Sequence, residues 1–588
     1  MTSPGARVDT IPHRLLRQAV DRPDAVAYQA KVAGRWQATT YRAFVAEVRT
    51  AARALIALGL PARGVVALLG FNRPEWVIVA HATMMAGGAA AGIYTTSSPE
   101  EVHYIVDHSE AALILVEDAA QLAKVQARRA DLPRCRHIVL MRGTAAPGDD
   151  DVLTWEAFLA RGAEASEAAL DERLARLAAT ELASLIYTSG TTGPPKGVML
   201  SHGNLAWTAR ALLDVGGTVE GDVGLSYLPL SHIAEQTASI HMPATAGSTV
   251  YFAESIEKVA DNLKDARPTV FFGVPRIWEK FHAALAAKLG ALTGAKQKLV
   301  AWARSVCAEV NALRDRGAAV PRLLDVQYRL AQRLVIGKLK AALGLDRARV
   351  LISGAAPIAP DVLAFFASLD LPVQEIYGQS EDCGPTSFNL PGKTRLGSVG
   401  PPFPGIEVKL AEDGEILVRE PNVFMGYFKE PAATAEVLIE GWLHSGDLGA
   451  FDADGFLSIT GRKKEIIITA GGKNIAPKNI EAALKQLPLI TEAVVIGDRR
   501  HYLTALITID EALAAALAPD AVRAQVQAQV DRVNHTLARV EQIKKFAVLP
   551  RAFSLDTGEL TPTLKLRRKV IATRYDREIE AMYEGGHA

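Results

Sequence analysis

The segment Tyr187-Thr-Ser-Gly-Thr-Thr-Gly-Pro-Pro-Lys196-Gly197 places the hydroxyls of Thr188, Ser189, Thr191 and Thr192, the glycines Gly190 and Gly193 and the ammonium of Lys196 between two apolar runs. Glycines let a backbone turn and bring its N–H groups close to anionic oxygens, hydroxyls donate further bonds, and the lysine adds a cation. Such a loop suits a polyphosphate. It is not a Walker A loop, which needs Gly immediately before Lys and Ser or Thr immediately after. Here Pro195 precedes Lys196 and Gly197 follows it.

The elements around this loop alternate. Short apolar runs at Gly64-Val-Val-Ala-Leu-Leu, Ala112-Leu-Ile-Leu-Val, Ser184-Leu-Ile-Tyr, Thr269-Val-Phe-Phe-Gly and Val350-Leu-Ile-Ser-Gly are separated by amphipathic helical stretches. That alternation predicts an α/β fold with largely parallel sheets. From Gly392 short strands with Gly and Pro turns, such as Gly414-Glu-Ile-Leu-Val-Arg, predict a β-rich subdomain. After Gly461-Arg-Lys-Lys464 a smaller α+β unit begins. The expected organisation is a large N-terminal domain over 1–463 and a small mobile C-terminal domain over 464–588. Trp76 to Ser98 carries no Asp, Glu, Lys or Arg, yet His81 and its glycines dilute it below a membrane span. A buried helix starting near Asn72-Arg-Pro-Glu75 and an inner strand over Ala89 to Thr95 are expected instead.

Composition narrows the classes further. The 588 residues carry 65 basic and 65 acidic side chains, so no global field favours nucleic acid, and any anion must be bound locally. The three cysteines, Cys135, Cys307 and Cys383, lie far apart without metal-ligand spacing, which speaks against a disulfide framework or zinc site and for a reducing cytoplasm. The N-terminal residues show no apolar core followed by a cleavage site. One stretch breaks the charge balance: Lys288 to Arg349 holds 13 basic and 4 acidic residues, a net of 13 − 4 = +9. Within it Leu299, Ala303, Val306, Val310 and Leu313 fall on one helical face. A solvated basic face and a peripheral contact with anionic lipid both fit this charge run.

Taken in order, these motifs resemble those of the adenylate-forming superfamily of acyl-CoA synthetases, luciferases and peptide-synthetase adenylation domains. The long helical stretch between Gly273-Val-Pro-Arg276 and Ser353-Gly-Ala-Ala-Pro357 is similar to that of long-chain fatty acid–CoA ligases. The resemblance implies ATP, Mg²⁺ and coenzyme A as cofactor and co-substrates, and a fatty acid as the group activated. It assigns Thr188, Ser189, Gly190, Thr191, Thr192, Gly193 and Lys196 to the β- and γ-phosphates of ATP. Leu228-Pro-Leu-Ser-His232 puts His232 beside the acyl carboxylate. Gly354, Ala355 and Ala356 line one side of adenine, and Tyr377, Gly378, Gln379 and Ser380 the other, with Ser380 standing where Thr is commoner in the family. Glu381 and Thr188 are implied for Mg²⁺, Asp447 and Arg462 for the ribose, and Lys464 for a hinge. Gly471 and Gly472 would border the pantetheine tunnel, and Lys565 would act on the α-phosphate. Some long-chain relatives carry a tryptophan gate four residues after the motif His, where this chain has Gln236. A fatty acyl-AMP ligase loading a carrier protein, and a non-catalytic acyl or nucleotide sensor, remain open alternatives at this point.

Overall fold

The computed structural model describes residues 9–144, 151–188, 194–554, 557–561 and 565–584. Its centre is a seven-stranded sheet in the order Val152–Thr154, His137–Leu140, Ala111–Val116, Val65–Leu69, Ala89–Ile93, Leu182–Thr188 and Lys196–Ser201. All neighbours are parallel except the last pair, an antiparallel hairpin whose ends are Thr188 and Lys196. The inner strands Val65–Leu69 and Ala89–Ile93 are buried throughout, as continuous apolar runs covered on both faces should be. The helix Pro74–Met85 is buried from Trp76 to Met85, so the charge-free stretch is core. No helix among the described residues is long and apolar enough to cross a membrane.

Two four-stranded sheets lie beside this one. The first runs Val223–Ser226, Thr249–Phe252, Val26–Val32, Arg35–Thr40, and the second Val270–Gly273, Val350–Ser353, Val373–Tyr377, Ser387–Phe388. Thr269 joins them, its N–H donating to the Val223 carbonyl at 2.9 Å. The β-rich part is a five-stranded antiparallel sheet between Glu407 and Arg462, in which Asp447 faces Arg462 in register.

The small domain has its own cores. One packs Ile480 and Leu484 against the sheet of Ile490–Ile496, Leu503–Ile509 and Ile543–Val548, and the other packs Leu549 and Phe553 against Ile571 and Tyr575. The cores of the large domain run up to Leu457 and Ile459, and those of the small domain begin at Ile467.

The helix Gly294–Asp315 buries Ala303, Val306 and Val310 as expected and tucks Leu313 against them. Leu299 lies in the same helix and is 40% exposed.

Candidate functional site

Strands from four of these sheets converge on one cavity of about 1180 Å³. Thr188 and Lys196 bring the ends of the central hairpin, and Tyr377 brings the end of its strand. The loop Ser189, Gly190, Thr191, Thr192 and Gly193 lies outside the described residues. Lys196 Nζ sits 4.8 Å from the centre of the Tyr427 ring, and the Tyr427 hydroxyl donates to Glu381 Oε1 at 2.9 Å. One side chain that the sequence did not single out thus spans the cationic and the anionic wall.

His232 caps the short helix Ile233–Gln236, its Nδ1 accepting from the Ala234 N–H at 3.2 Å. That bond leaves the ring proton on Nε2, making it a donor. Burial first, and then the positive charge of Lys565, lowers its pKa to about 4, so the ring is neutral at pH 7. The loop reaches this position because Gly92 has no side chain: a Cβ there would come within 2.7 Å of the Ser231 Cα. Three residues after His232, the buried Glu235 carboxylate accepts from Ser226 Oγ and Ser239 Oγ, each at 2.6 Å, and from Asn72 Nδ2 at 3.2 Å. Asn72 also donates to the Leu228 carbonyl at 2.7 Å, so the network ties both ends of the His232 loop to the sheet. Burial raises the pKa of Glu235 to about 7 against the pull of these bonds. Gln236 belongs to the same layer, taking a bond from Ser184 Oγ at 3.1 Å and donating to the Leu230 carbonyl at 2.9 Å. Beyond them the cavity turns apolar, lined by Leu212, Leu225, Met242, Val250 and Phe272.

Behind Tyr377 the backbone is tightly folded. A Cβ on Gly378 would lie 1.5 Å from the Gly384 carbonyl oxygen, so only glycine fits there. The buried Asp382 holds the turn by accepting from the Gln379 N–H and Thr386 Oγ1, both at 2.7 Å. A Cβ on Gly354 would come within 2.7 Å of the Ile376 Cγ2 methyl, and Ala355 follows it with φ of +69°. Ala355, Ala356, Gln379, Ser380 and Glu381 all line the cavity.

The polar floor is a chain of carboxylates and cations. The Tyr377 hydroxyl donates to Asp447 Oδ2 at 3.0 Å, while Arg462 Nε faces Asp447 Oδ1 at 3.3 Å. Glu415, missed in the sequence, accepts from His444 Nδ1 at 3.1 Å, the Gly446 N–H at 2.9 Å and Lys463 Nζ at 3.0 Å. Burial alone would raise its pKa, but these three donors outweigh burial and hold it below the usual range. They fix the turn that presents Asp447.

Lys565 enters the same cavity from the small domain. Its backbone is pinned to Thr561, with N–H donating to Thr561 Oγ1 at 3.0 Å and C=O accepting from the Thr561 N–H at 2.8 Å. The side chain stands open to the cavity yet has protein around it on every side. Burial, then Arg462 and Lys478, lower its pKa, partly offset by Asp447 and Glu381.

The base of this segment is Glu559, whose side chain is wholly covered by its own partners. It accepts from Arg551 Nη1 and Nη2 at 2.8 Å, Thr557 Oγ1 at 2.6 Å and the Tyr575 hydroxyl at 3.0 Å. Burial pushes its pKa up, but the bonds prevail and bring it from 4.5 to about 2. A depressed acid stabilises the fold fully above its unfolded pKa and loses that contribution as pH falls. Glu559→Gln is therefore expected to cost about 3 kcal/mol at neutral pH, with the gap to wild type closing between about pH 4.5 and pH 2. Urea denaturation of the full chain across pH checks this, and a pH-independent gap would contradict it.

Gly471 and Gly472 are not brought into the cavity. They form the exposed turn between Ile467–Ile468 and Asn474–Ile475, where Gly472 takes φ of +74°. Lys464 lies at the cavity rim in the single turn Lys463–Glu465.

The family model for AMP-binding enzymes matches residues 15–428, and that for the AMP-binding enzyme C-terminal domain matches 464–587. The chain belongs to the AMP-binding enzyme family. It is 38% identical to the long-chain-fatty-acid–CoA ligase ACSBG2 of Xenopus laevis, over 97% of this chain and 83% of that one. It is also 38% identical to the long-chain-fatty-acid–CoA ligase FadD15 of Mycobacterium bovis, over 98% and 97%. Among solved structures it shares its fold with the adenylation domain of a carboxylate reductase from Mycobacterium chelonae, at a TM-score of 0.78 and 22% identity over 99% of this chain and 92% of that one. The anthranilate CoA ligase AuaEII with anthranoyl-AMP matches at a TM-score of 0.74 and 20% identity, over 97% and 98%.

Proposed function

We propose that Lys565, His232 and Lys196 work together on one fatty carboxylate and one ATP in this cavity. The chain is an AMP-forming long-chain fatty acid–CoA ligase. The observation that carries the residue roles is that Lys565 of the small domain lines the same cavity as His232, Tyr377 and the Asp447–Arg462 pair of the large one.

In the first half-reaction the carboxylate oxygen attacks the α-phosphorus of ATP and pyrophosphate leaves. No general base is needed, since a carboxylate is ionised at neutral pH. Nε2–H of His232 would hold the attacking carboxylate, and Lys565 would stabilise the charge that grows on the α-phosphoryl oxygens. Thr188 and Lys196 would hold the outer phosphates. Tyr377, Gly378, Gln379 and Ser380, facing Gly354, Ala355 and Ala356, would hold adenine. For Mg²⁺ the donor set is Glu381 with Thr188; no cluster of three or more metal-ligating side chains occurs among the described residues. One carboxylate suits an ion that keeps waters and takes its other ligands from phosphates, whose charge it offsets when bound.

In the second half-reaction the thiol of coenzyme A attacks the acyl carbonyl, AMP leaves, and the thiol proton passes to solvent. That step needs Lys565 withdrawn and a thiol path opened, which rotation of 464–588 about Lys464 would provide. On this reading the exposed Gly471-Gly472 turn comes to the cavity after the rotation.

Asp447→Ala should weaken ATP binding by about 1.5–3 kcal/mol, the worth of charged hydrogen bonds to the ribose hydroxyls. Calorimetric titration with ATP measures it; unchanged affinity with a lowered melting temperature would make Asp447 merely structural. The reading as a whole is tested by following thioester formation with coenzyme A and with a phosphopantetheinylated carrier protein, across fatty acids from short to very long. Long-chain acyl-CoA is the expected product, and acyl transfer to the carrier alone would overturn it. We read the enzyme as working in the cytoplasm, where its three buried cysteines are free thiols, with a peripheral contact to membrane.

A further inference from the structure

Over most of the surface described, exposed large apolar side chains are scattered, as is ordinary for a folded protein. Four crowd onto one short stretch: Leu323, Val326, Leu330 and Leu334 are 73%, 62%, 48% and 42% exposed. Their spacing puts them on one face of the helix Arg322–Ala331 and the π-helical turn Gln332–Ile336 that continues it. The opposite face is already used, since Leu324, Ala331 and Val335 are buried with Ala303, Val306 and Val310 of the neighbouring helix. Arg322 and Arg333 stand exposed along one flank of the apolar stripe, as does Arg329, which pairs with Asp325 at 2.7 Å, and Lys338 follows on the next turn.

We propose that this face docks the enzyme on an anionic membrane, its four apolar side chains entering the acyl boundary and its arginines resting on the headgroups. An apolar stripe flanked by basic residues is the composition of helices that lie in the bilayer interface. A second copy of the chain is the poorer occupant, because it would set one net-positive face against another, whereas anionic headgroups complement it. The structure also narrows the contact expected from charge alone. Lys340 is spent on Asp370 at 3.0 Å, Arg349 on Asp222 at 2.6 Å, and Arg304 is stacked on Phe365 at 4.7 Å. The proposal rests on the ligase reading, which supplies a substrate that partitions into bilayers.

The test is sedimentation of the full chain with vesicles of phosphatidylcholine alone or mixed with phosphatidylglycerol, at low and high salt. Wild type should bind the anionic vesicles, less tightly at high salt. Leu323→Asp with Leu330→Asp should lower the partition coefficient about tenfold or more, and Val326→Trp should raise it severalfold. Laurate-dependent ATP–pyrophosphate exchange should be unchanged in both variants, since neither touches the cavity. Indifference of wild type to anionic vesicles, wild-type binding by the Asp variant, or a self-association that the Asp variant disperses would overturn the proposal. Failure of the ligase reading would look different: wild type would then show no exchange, whatever the vesicles do.

Discussion

Lys565→Ala is expected to slow acyl-adenylate formation about 10²–10³-fold, the usual cost of removing one preorganised charge donor from a transition state. The Lys565 ammonium shares the cavity with His232 and lies within the electrostatic reach of Asp447 and Glu381. Its backbone bonds to Thr561 do not involve the side chain, so truncating the side chain should leave the fold intact. Thioester formation from supplied acyl-adenylate should change little, because the cation is proposed to serve only the first transition state. Rapid-quench measurement of the two half-reactions separates them. Equal losses in both would remove Lys565 from the α-phosphate.

Lys464→Pro should do the reverse. Lys464 sits between two anchors: Lys463 bonds Glu415 and Asp413 of the large domain at 3.0 and 2.6 Å, and Glu465 faces Lys478 of the small domain at 3.2 Å. A rotation of the small domain has to be absorbed between them, and proline fixes φ. Because the structure holds Lys565 in the cavity, a hinge frozen in this arrangement should spare adenylation and suppress thioester formation by roughly 10²-fold, the penalty of a misplaced reacting group. Single-turnover assays with ATP and fatty acid, then with coenzyme A, read both steps. Normal turnover in the second would count against domain alternation.

Much of this was legible in the chain because the chemistry is packed into short contiguous motifs at strand ends. Val65–Leu69 and Val350–Ser353 read as buried strands because their apolar runs are unbroken, and each motif loop follows such a run or its hairpin. What stayed hidden depends on long-range contacts. The Tyr427 hydroxyl meets Glu381 across 46 residues of sequence, so nothing local marks it as part of the site. Glu235 looks like an ordinary helical glutamate until Asn72 and Ser226 are brought against it. Charge was misleading for the same reason: Lys340 reads as one of a basic run, but folding sets it on Asp370. Nothing in the sequence marks the apolar stripe from Leu323 to Leu334 as exposed, since periodicity alone does not say which face of an amphipathic helix finds a core.

On the ligase reading, a fatty carboxylate is activated as its adenylate in the cavity that Lys565 lines. Exchange of labelled pyrophosphate into ATP, with fatty acid present and coenzyme A absent, tests it most directly. Exchange should require the fatty acid and fall about 10²–10³-fold in Lys565→Ala. Thioester formation without any such exchange, or with ADP and phosphate in place of AMP and pyrophosphate, would contradict it.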